Sequence, residues 1–300
     1  MSYAELPQTT LTLEPPFPEI FTGETVTLRC GVEGSSAGWK YLWYKDNEDT
    51  PVLQTAGRSI TGDSYTITAA AVSDQGQYCC RGRRADQPGS SQLSDPVTVT
   101  VSEGRLKPAL SWEGRGGEIF EGDTVILSCS VQPNSSGWRY LWYKDRQGAP
   151  VHQSNSSSGS GAGFTISAAA LSHSGEYWCR AGRGSNTFYS QYSDPIWGNV
   201  TALFSRVTLT ASPGATVKEG EALNLTCEAA VNKTPCPELH FSIVRDGEPV
   251  TNSTDSALYS TTSTEKSHAG SYTCAVESQG VRKSSQELHI EVQSKITNPS

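Results

Sequence analysis

The 300-residue sequence has one Met, five scattered His, no apolar run near 20 residues and no long stretch of apolar side chains at the helical period. Without a 3.6-residue apolar repeat, helices are excluded as a main component, and the abundance of Gly, Ser, Thr and Pro points to an all-β chain. Without a 20-residue apolar run, no segment can cross a bilayer as a helix. The start, MSYAELPQTT, lacks the apolar core of a secretion signal. There is no CxxC and no paired His spacing, so a metal site is not expected and no cofactor is called for. Positive charge is also short: the net charge is −8, which repels phosphate backbones and excludes nucleic acid as a partner. The one hydrolase-like string, GSSAG at 34–38, follows a cysteine in a loop instead of a strand-to-helix turn, so an enzyme is not expected.

Eight cysteines stand at long, regular separations, a pattern that suits structural disulfides in an oxidising compartment. Six of nine Asn open N-x-[ST] sequons: Asn134, Asn155, Asn199, Asn224, Asn232 and Asn252. None lies in the first hundred residues. Together these features place the chain on the extracellular side of the plasma membrane or in secretion. The chain reads as a mature ectodomain fragment with an added start Met, its signal peptide and transmembrane segment lying outside it.

Self-similarity sets the architecture. GWKYLWYKD at 38–46 recurs as GWRYLWYKD at 137–145, and ETVTLRC, YTITAAAVSDQGQYCC and QLSDP recur at the same offset as DTVILSC, FTISAAALSHSGEYWC and QYSDP. A more diverged third copy contains EGEALNLTC, LHFSIVRDG and KSHAGSYTC. The boundaries fall at 1–102, 103–202 and 203–293, with a polar tail, 294–300, leading toward a stalk or anchor. Lys plus Arg against Asp plus Glu is 7 to 12 in the first segment, 8 to 8 in the second and 8 to 11 beyond it, so the middle repeat is the least acidic.

Each copy has a Cys, an aromatic residue 13 or 14 positions later (Trp43, Trp142, Phe241), then G-x-Y-x-C, which marks an immunoglobulin sandwich. Val26, Leu28 and Cys30 alternate with Thr25, Thr27 and Arg29, as a half-buried strand requires. Tyr78, Tyr177 and Tyr272, two before the second Cys, occupy the tyrosine-corner position. The fold expected is three tandem C2-type β-sandwiches with disulfides Cys30 to Cys80, Cys129 to Cys179 and Cys227 to Cys274. Cys79 and Cys236 are surplus: free thiols, or the means of a covalent homodimer.

The strands FTGETVTLRC and FEGDTVILSC, the YLWYKD strand, the GxYxC corner and the SDPVTVTV ending resemble those of Fc receptors and Fc receptor-like proteins, including the leukocyte immune-type receptors of bony fish. The third segment, VTLTASPGATVKEGEALNLTC with Phe241 in place of Trp, resembles the membrane-proximal domain of the high-affinity immunoglobulin G Fc receptor. The resemblance implies a leukocyte receptor ectodomain that binds a protein ligand, immunoglobulin Fc or an MHC class I-like molecule, through its first two domains. The alternative is an adhesion module acting through homophilic contacts. The family's paired junction Trp does not carry over, because Trp112 is the only Trp at this junction.

The residues expected to meet a ligand are Arg81, Arg83 and Arg84 after the second Cys of the first domain, Arg180 and Arg183 in the second, and Trp112. Arg is favoured at interfaces for its planar fork and its stacking. Trp39 and Trp138 share parity with the core Trp and are expected to be buried, whereas Trp178 is expected to face outward. His173 and His268 stand where the first domain has Asp74 and read as surface-turn residues.

Overall fold

The computed structural model describes residues 6–17, 19–34, 38–84, 89–104, 106–113, 118–132, 137–155, 161–184, 187–250 and 257–295, the side chain of Asn155 excepted. Asn134, Asn252, part of GSSAG and the end of the polar tail lie outside these residues. The chain is all-β, and its only described helical pieces are three single turns, Val72–Asp74, Leu171–His173 and Lys266–His268. It packs as two compact units, one of Met1–Ser111, Leu127–Phe164 and Tyr177–Ile196, the other of Trp112–Ile126, Thr165–Glu176 and Trp197–Ser300. The middle repeat gives chain to both.

In the first unit, the strand Val26–Val32 alternates buried and accessible residues along its length, the signature of a strand with one face on a core. It pairs antiparallel with Thr9–Glu14 on one side and Ser64–Ile67 on the other, and Arg58–Thr61 closes that sheet. The facing sheet is Trp39–Lys45, Gly76–Arg84 and Val97–Val99. Between them lie Leu28, Trp43, Tyr65, Ile67, Tyr78 and the Cys30–Cys80 bridge, all buried. The second repeat repeats this front sheet: Arg139–Lys144 pairs with His152–Asn155 and with Gly175–Arg183, and the last pairs with Phe188–Tyr192. Trp142 is opposite Cys179, which is bridged to Cys129.

In the second unit, Phe204–Ser212, Leu223–Val231 and Leu258–Thr261 form one sheet, while Thr216–Lys218, Leu288–Gln293, Gly270–Ser278 and His240–Arg245 form the other. The Cys227–Cys274 bridge joins them, and Phe241 packs beside the core built on Ile243, Tyr272 and Val276. Phe120 of the middle repeat is buried in this same core beside Leu203 and Phe204.

The turns before the second cysteines share one construction. Tyr78 Oη donates to Asp74 O at 2.7 Å and Tyr272 Oη to His268 O at 2.8 Å. Asp74 accepts the Ala71 amide, and at the equivalent positions His173 and His268 accept the amides of Ala170 and Glu265 through Nδ1. The two histidines are therefore turn-capping acceptors.

Candidate ligand-binding surface

The arginines that follow the second cysteines divide by strand parity and by what the neighbouring repeat offers them. Arg183 ends the Gly175–Arg183 strand on the inward parity of Cys179, and its side chain has 0% exposure. Its Nε donates to Glu24 Oε1 at 2.6 Å, and its Nη2 donates to Glu24 Oε2 at 2.7 Å and to Glu19 O at 2.7 Å. The guanidinium carbon lies 4.2 Å from the Phe17 ring, 4.3 Å from Trp138 and 5.2 Å from Phe21. Such a pair is a forked, charge-assisted contact with aromatic faces supplying cation–π attraction. The expectation that Arg183 meets a ligand is thus corrected: it is spent on joining the second sandwich to the first. Trp138, 1% exposed, is buried in that joint. Gly137 allows it, since at φ +85° a Cβ would lie 2.7 Å from Phe17 Cε1.

The acidic side of this joint, the FTGE turn at 21–24, was not singled out in the sequence, although its recurrence as FEGD at 120–123 is visible there. Glu24 Oε2 also accepts the Phe21 amide at 2.8 Å, which fixes the carboxylate toward Arg183. Within the second unit the FEGD turn plays the same part. Asp123 Oδ2 accepts the Phe120 amide at 3.1 Å, its other oxygen takes Lys233 Nζ, and Gly122 lies against Gln279.

The first repeat carries the same constellation at its own far end. By the 99-residue offset Trp39 corresponds to Trp138 and Arg84 to Arg183. The Arg84 guanidinium carbon lies 4.8 Å from the half-buried Trp39 ring. Arg83 is exposed and pairs in register with exposed Lys40, while Arg81 stands opposite Leu42. Arg29, Lys45 and Arg58 are ion-paired with Glu14, Asp46 and Asp74. Among the described residues the other four cations of this domain, Lys40, Arg81, Arg83 and Arg84, have no acidic partner, so its unpaired positive charge is gathered on two neighbouring strands. The sequence did not single out Lys40, for only the strand register brings it beside Arg83.

On the second domain, Arg180 is laid between Tyr189 and Tyr192, 4.4 and 5.0 Å from their rings, and its Nε donates to Ser190 O at 2.9 Å. Tyr143 meets Tyr192 edge-on at 5.0 Å, and its phenol is pushed up to about 12 by burial and then by Tyr192. Trp178 stands across from Tyr143 on this outward face, half-buried, and Tyr189 is 41% exposed. Arg and aromatic side chains of this kind are those that anchor protein interfaces. Trp112 belongs to the other compact unit and is half-buried; it is not among these residues.

Cys79 is half-buried on the outward parity, and its thiol is pushed up by burial, then by Glu48 and Asp95, which disfavours thiolate chemistry. Cys236 is exposed and donates to Pro237 O at 3.5 Å. Asn199, Asn224 and Asn232 are exposed.

An immunoglobulin-domain family matches residues 8–101 and 206–292, and a second immunoglobulin-domain family matches 107–182. Fc receptor-like protein 3 of Homo sapiens is 28% identical over 271 residues, covering 89% of this chain and 35% of its own length. The low affinity immunoglobulin gamma Fc region receptor III-A of Mustela putorius furo is 30% identical over 194 residues, 64% of this chain and 68% of that one. The human OSCAR ligand-binding domain aligns at 24% identity with a TM-score of 0.40, over 65% of this chain and all of that one. The chain belongs to the Fc receptor-like family of the immunoglobulin superfamily. The relatives it matches are Fc receptors and Fc receptor-like proteins, a non-enzymatic family. The chain spans about a third of the length of Fc receptor-like protein 3. Among the described residues no helix is long and apolar enough to cross a membrane.

Proposed function

We propose that this chain is the extracellular ligand-binding region of a leukocyte cell-surface receptor that recognises a protein ligand, immunoglobulin Fc or an MHC class I-like molecule, through its first two domains. The observation that carries the reading is the pairing of a buried Arg183–Glu24 joint between those domains with unpaired or stacked arginines on their outward strands. A fixed joint presents two faces at once without losing interdomain freedom on binding, which lowers the entropy cost of association. Arg81, Arg83 and Arg84 on the first domain, and Arg180 with Tyr189 on the second, are the side chains that would meet the ligand. Of the two thiols that could hold a covalent homodimer, Cys236 is the accessible one.

Surface plasmon resonance against purified immunoglobulins and MHC class I-like proteins tests this. Saturable binding to a member of either class is expected, weakened by Arg81→Ala and Arg83→Ala. No binding to any of them, together with concentration-dependent self-association, would reject the reading in favour of homophilic adhesion.

A further inference from the structure

The two filled joints supply a template. In each, an acidic turn of one domain, FTGE or FEGD, is presented to the end of the next. At the first of them the receiving end is Trp138, Arg183 and Gly137, and it takes a carboxylate on the guanidinium and the Phe17 ring against the glycine. The first domain has the same three groups, Trp39, Arg84 and Gly38, with Gly38 at the same φ of +85° and, among the described residues, no neighbour within 4 Å of its Cβ direction. Trp39 Nε1 and Arg84 Nε are shielded from solvent and, among the described residues, lack a hydrogen-bond partner, as do Trp43 Nε1 and Arg81 Nε. Buried donors of this kind are costly, and native structures rarely leave them unmet without a reason.

We propose that the Trp39–Arg84 end of the first domain is a socket for an acidic, aromatic-flanked turn on an immunoglobulin domain of the protein ligand. The proposal rests on the reading that the first domains bind a protein. The carboxylate would take the Arg84 fork as Glu24 takes that of Arg183, and an aromatic ring would lie against Gly38 as Phe17 lies against Gly137.

The surrounding charge favours a ligand over the alternatives. Lys40, Arg81 and Arg83 lie on the opposite parity of the same two strands and have no acidic partner among the described residues, whereas at the equivalent positions Arg139 donates to Thr187, Arg180 is stacked and bonded to Ser190, and position 182 is Gly. The two strands that carry the socket therefore hold more positive charge than a domain joint of this chain uses, which suits a more acidic surface. A second copy of this chain is a poor occupant. Its first two turns are engaged, and the third, KEGE at 218–221, would bring Lys218 where Phe21 stands, against Arg84.

The test uses the whole 300-residue protein and, as probe, a fluorescein-labelled cyclic peptide copying residues 15–24, PPFPEIFTGE. Fluorescence anisotropy at low salt should show saturable binding, weakened at least tenfold by Arg84→Ala or Trp39→Ala and by Gln in place of the peptide's last Glu. Arg84→Lys, which keeps the charge but loses the fork, should fall between, and Arg146→Ala, an exposed arginine elsewhere, should change affinity less than twofold. Melting curves that match wild type exclude misfolding. No saturable binding, or equal binding by Arg84→Ala, overturns the proposal.

Two further results would also overturn it. One is a concentration-dependent dimer of the receptor alone that Arg84→Ala abolishes, which gives the socket to a second copy. The other is a transcript encoding a directly preceding immunoglobulin domain with an aromatic-x-Gly-acid turn, which gives it to the chain's own joint. If an immunoglobulin or MHC-like protein binds wild type and Arg84→Ala alike, the socket fails while the proposed function stands. If the peptide binds and no such protein does, the reverse holds.

Discussion

Arg183 illustrates how one side chain changes meaning with its surroundings. A guanidinium removed from water loses several kcal/mol of hydration, and the pair with Glu24 recovers it only because the fork is bidentate, Glu19 O takes a further N–H and three rings cover the planar faces. Deleting one partner leaves the other buried and uncompensated. Arg183→Ala should therefore cost about 3–5 kcal/mol, read as a lower melting temperature of the first two domains. Replacing both partners, Arg183→Met with Glu24→Leu, should recover most of that loss. A double-mutant cycle measures the coupling, and additive single effects would contradict the joint.

At the scale of the strand, register decides which charges meet. Lys40 opposite Arg83 places two cations across an antiparallel pair, an arrangement that costs stability. Lys40→Glu should convert it to an attractive pair and raise the melting temperature by about 2 °C, corresponding to about 0.5 kcal/mol at low salt and less at high salt. The same change should weaken binding of an acidic ligand. Stability and binding moving in opposite directions would mark Lys40 as retained for recognition, whereas a fall in both would indicate a structural role. The strands also explain the contrast between Arg81 and Arg180, which follow equivalent cysteines. Tyr189 and Tyr192 cover Arg180, but the offset puts Ser90 and Leu93 at those places in the first domain, so Arg81 lacks the equivalent aromatic cover.

Across the whole molecule, the tyrosine corners and core phenols set an alkaline limit. Tyr177 is pushed up to about 12 by burial and then by Asp145, and Tyr78, Tyr65, Tyr140 and Tyr272 are raised chiefly by burial. A phenol held protonated in the fold but free to ionise near pH 10 when unfolded contributes stability that is complete below about pH 10. That contribution is lost as pH climbs toward 12. Tyrosinate absorbance and far-ultraviolet circular dichroism should therefore change together above pH 10, and ionisation of all tyrosines near 10 with the fold intact would refute this. The three disulfides close loops of 50, 50 and 47 residues. In the chain-entropy account each is worth about 4 kcal/mol, so reduction should unfold the chain at lower temperature.

The architecture was legible in the sequence because its signals are local or periodic. A 99-residue repeat, alternating strands and the Cys–Trp–Tyr-x-Cys order state a sandwich without reference to distant contacts, and the outward place of Trp178 follows from parity alone. The roles of the arginines were not legible. Arg84 and Arg183 sit at equivalent positions of near-duplicate segments and read alike. What separates them is that Glu24, 159 residues away in the chain, reaches one of them, and a partner that remote leaves no periodic trace. The order of residues determined which of them could form a forked, aromatic-lined arginine site; tertiary packing decided which copy is filled from within and which has no acidic partner among the described residues, because only packing sets where one domain's acidic turn meets the next domain's end.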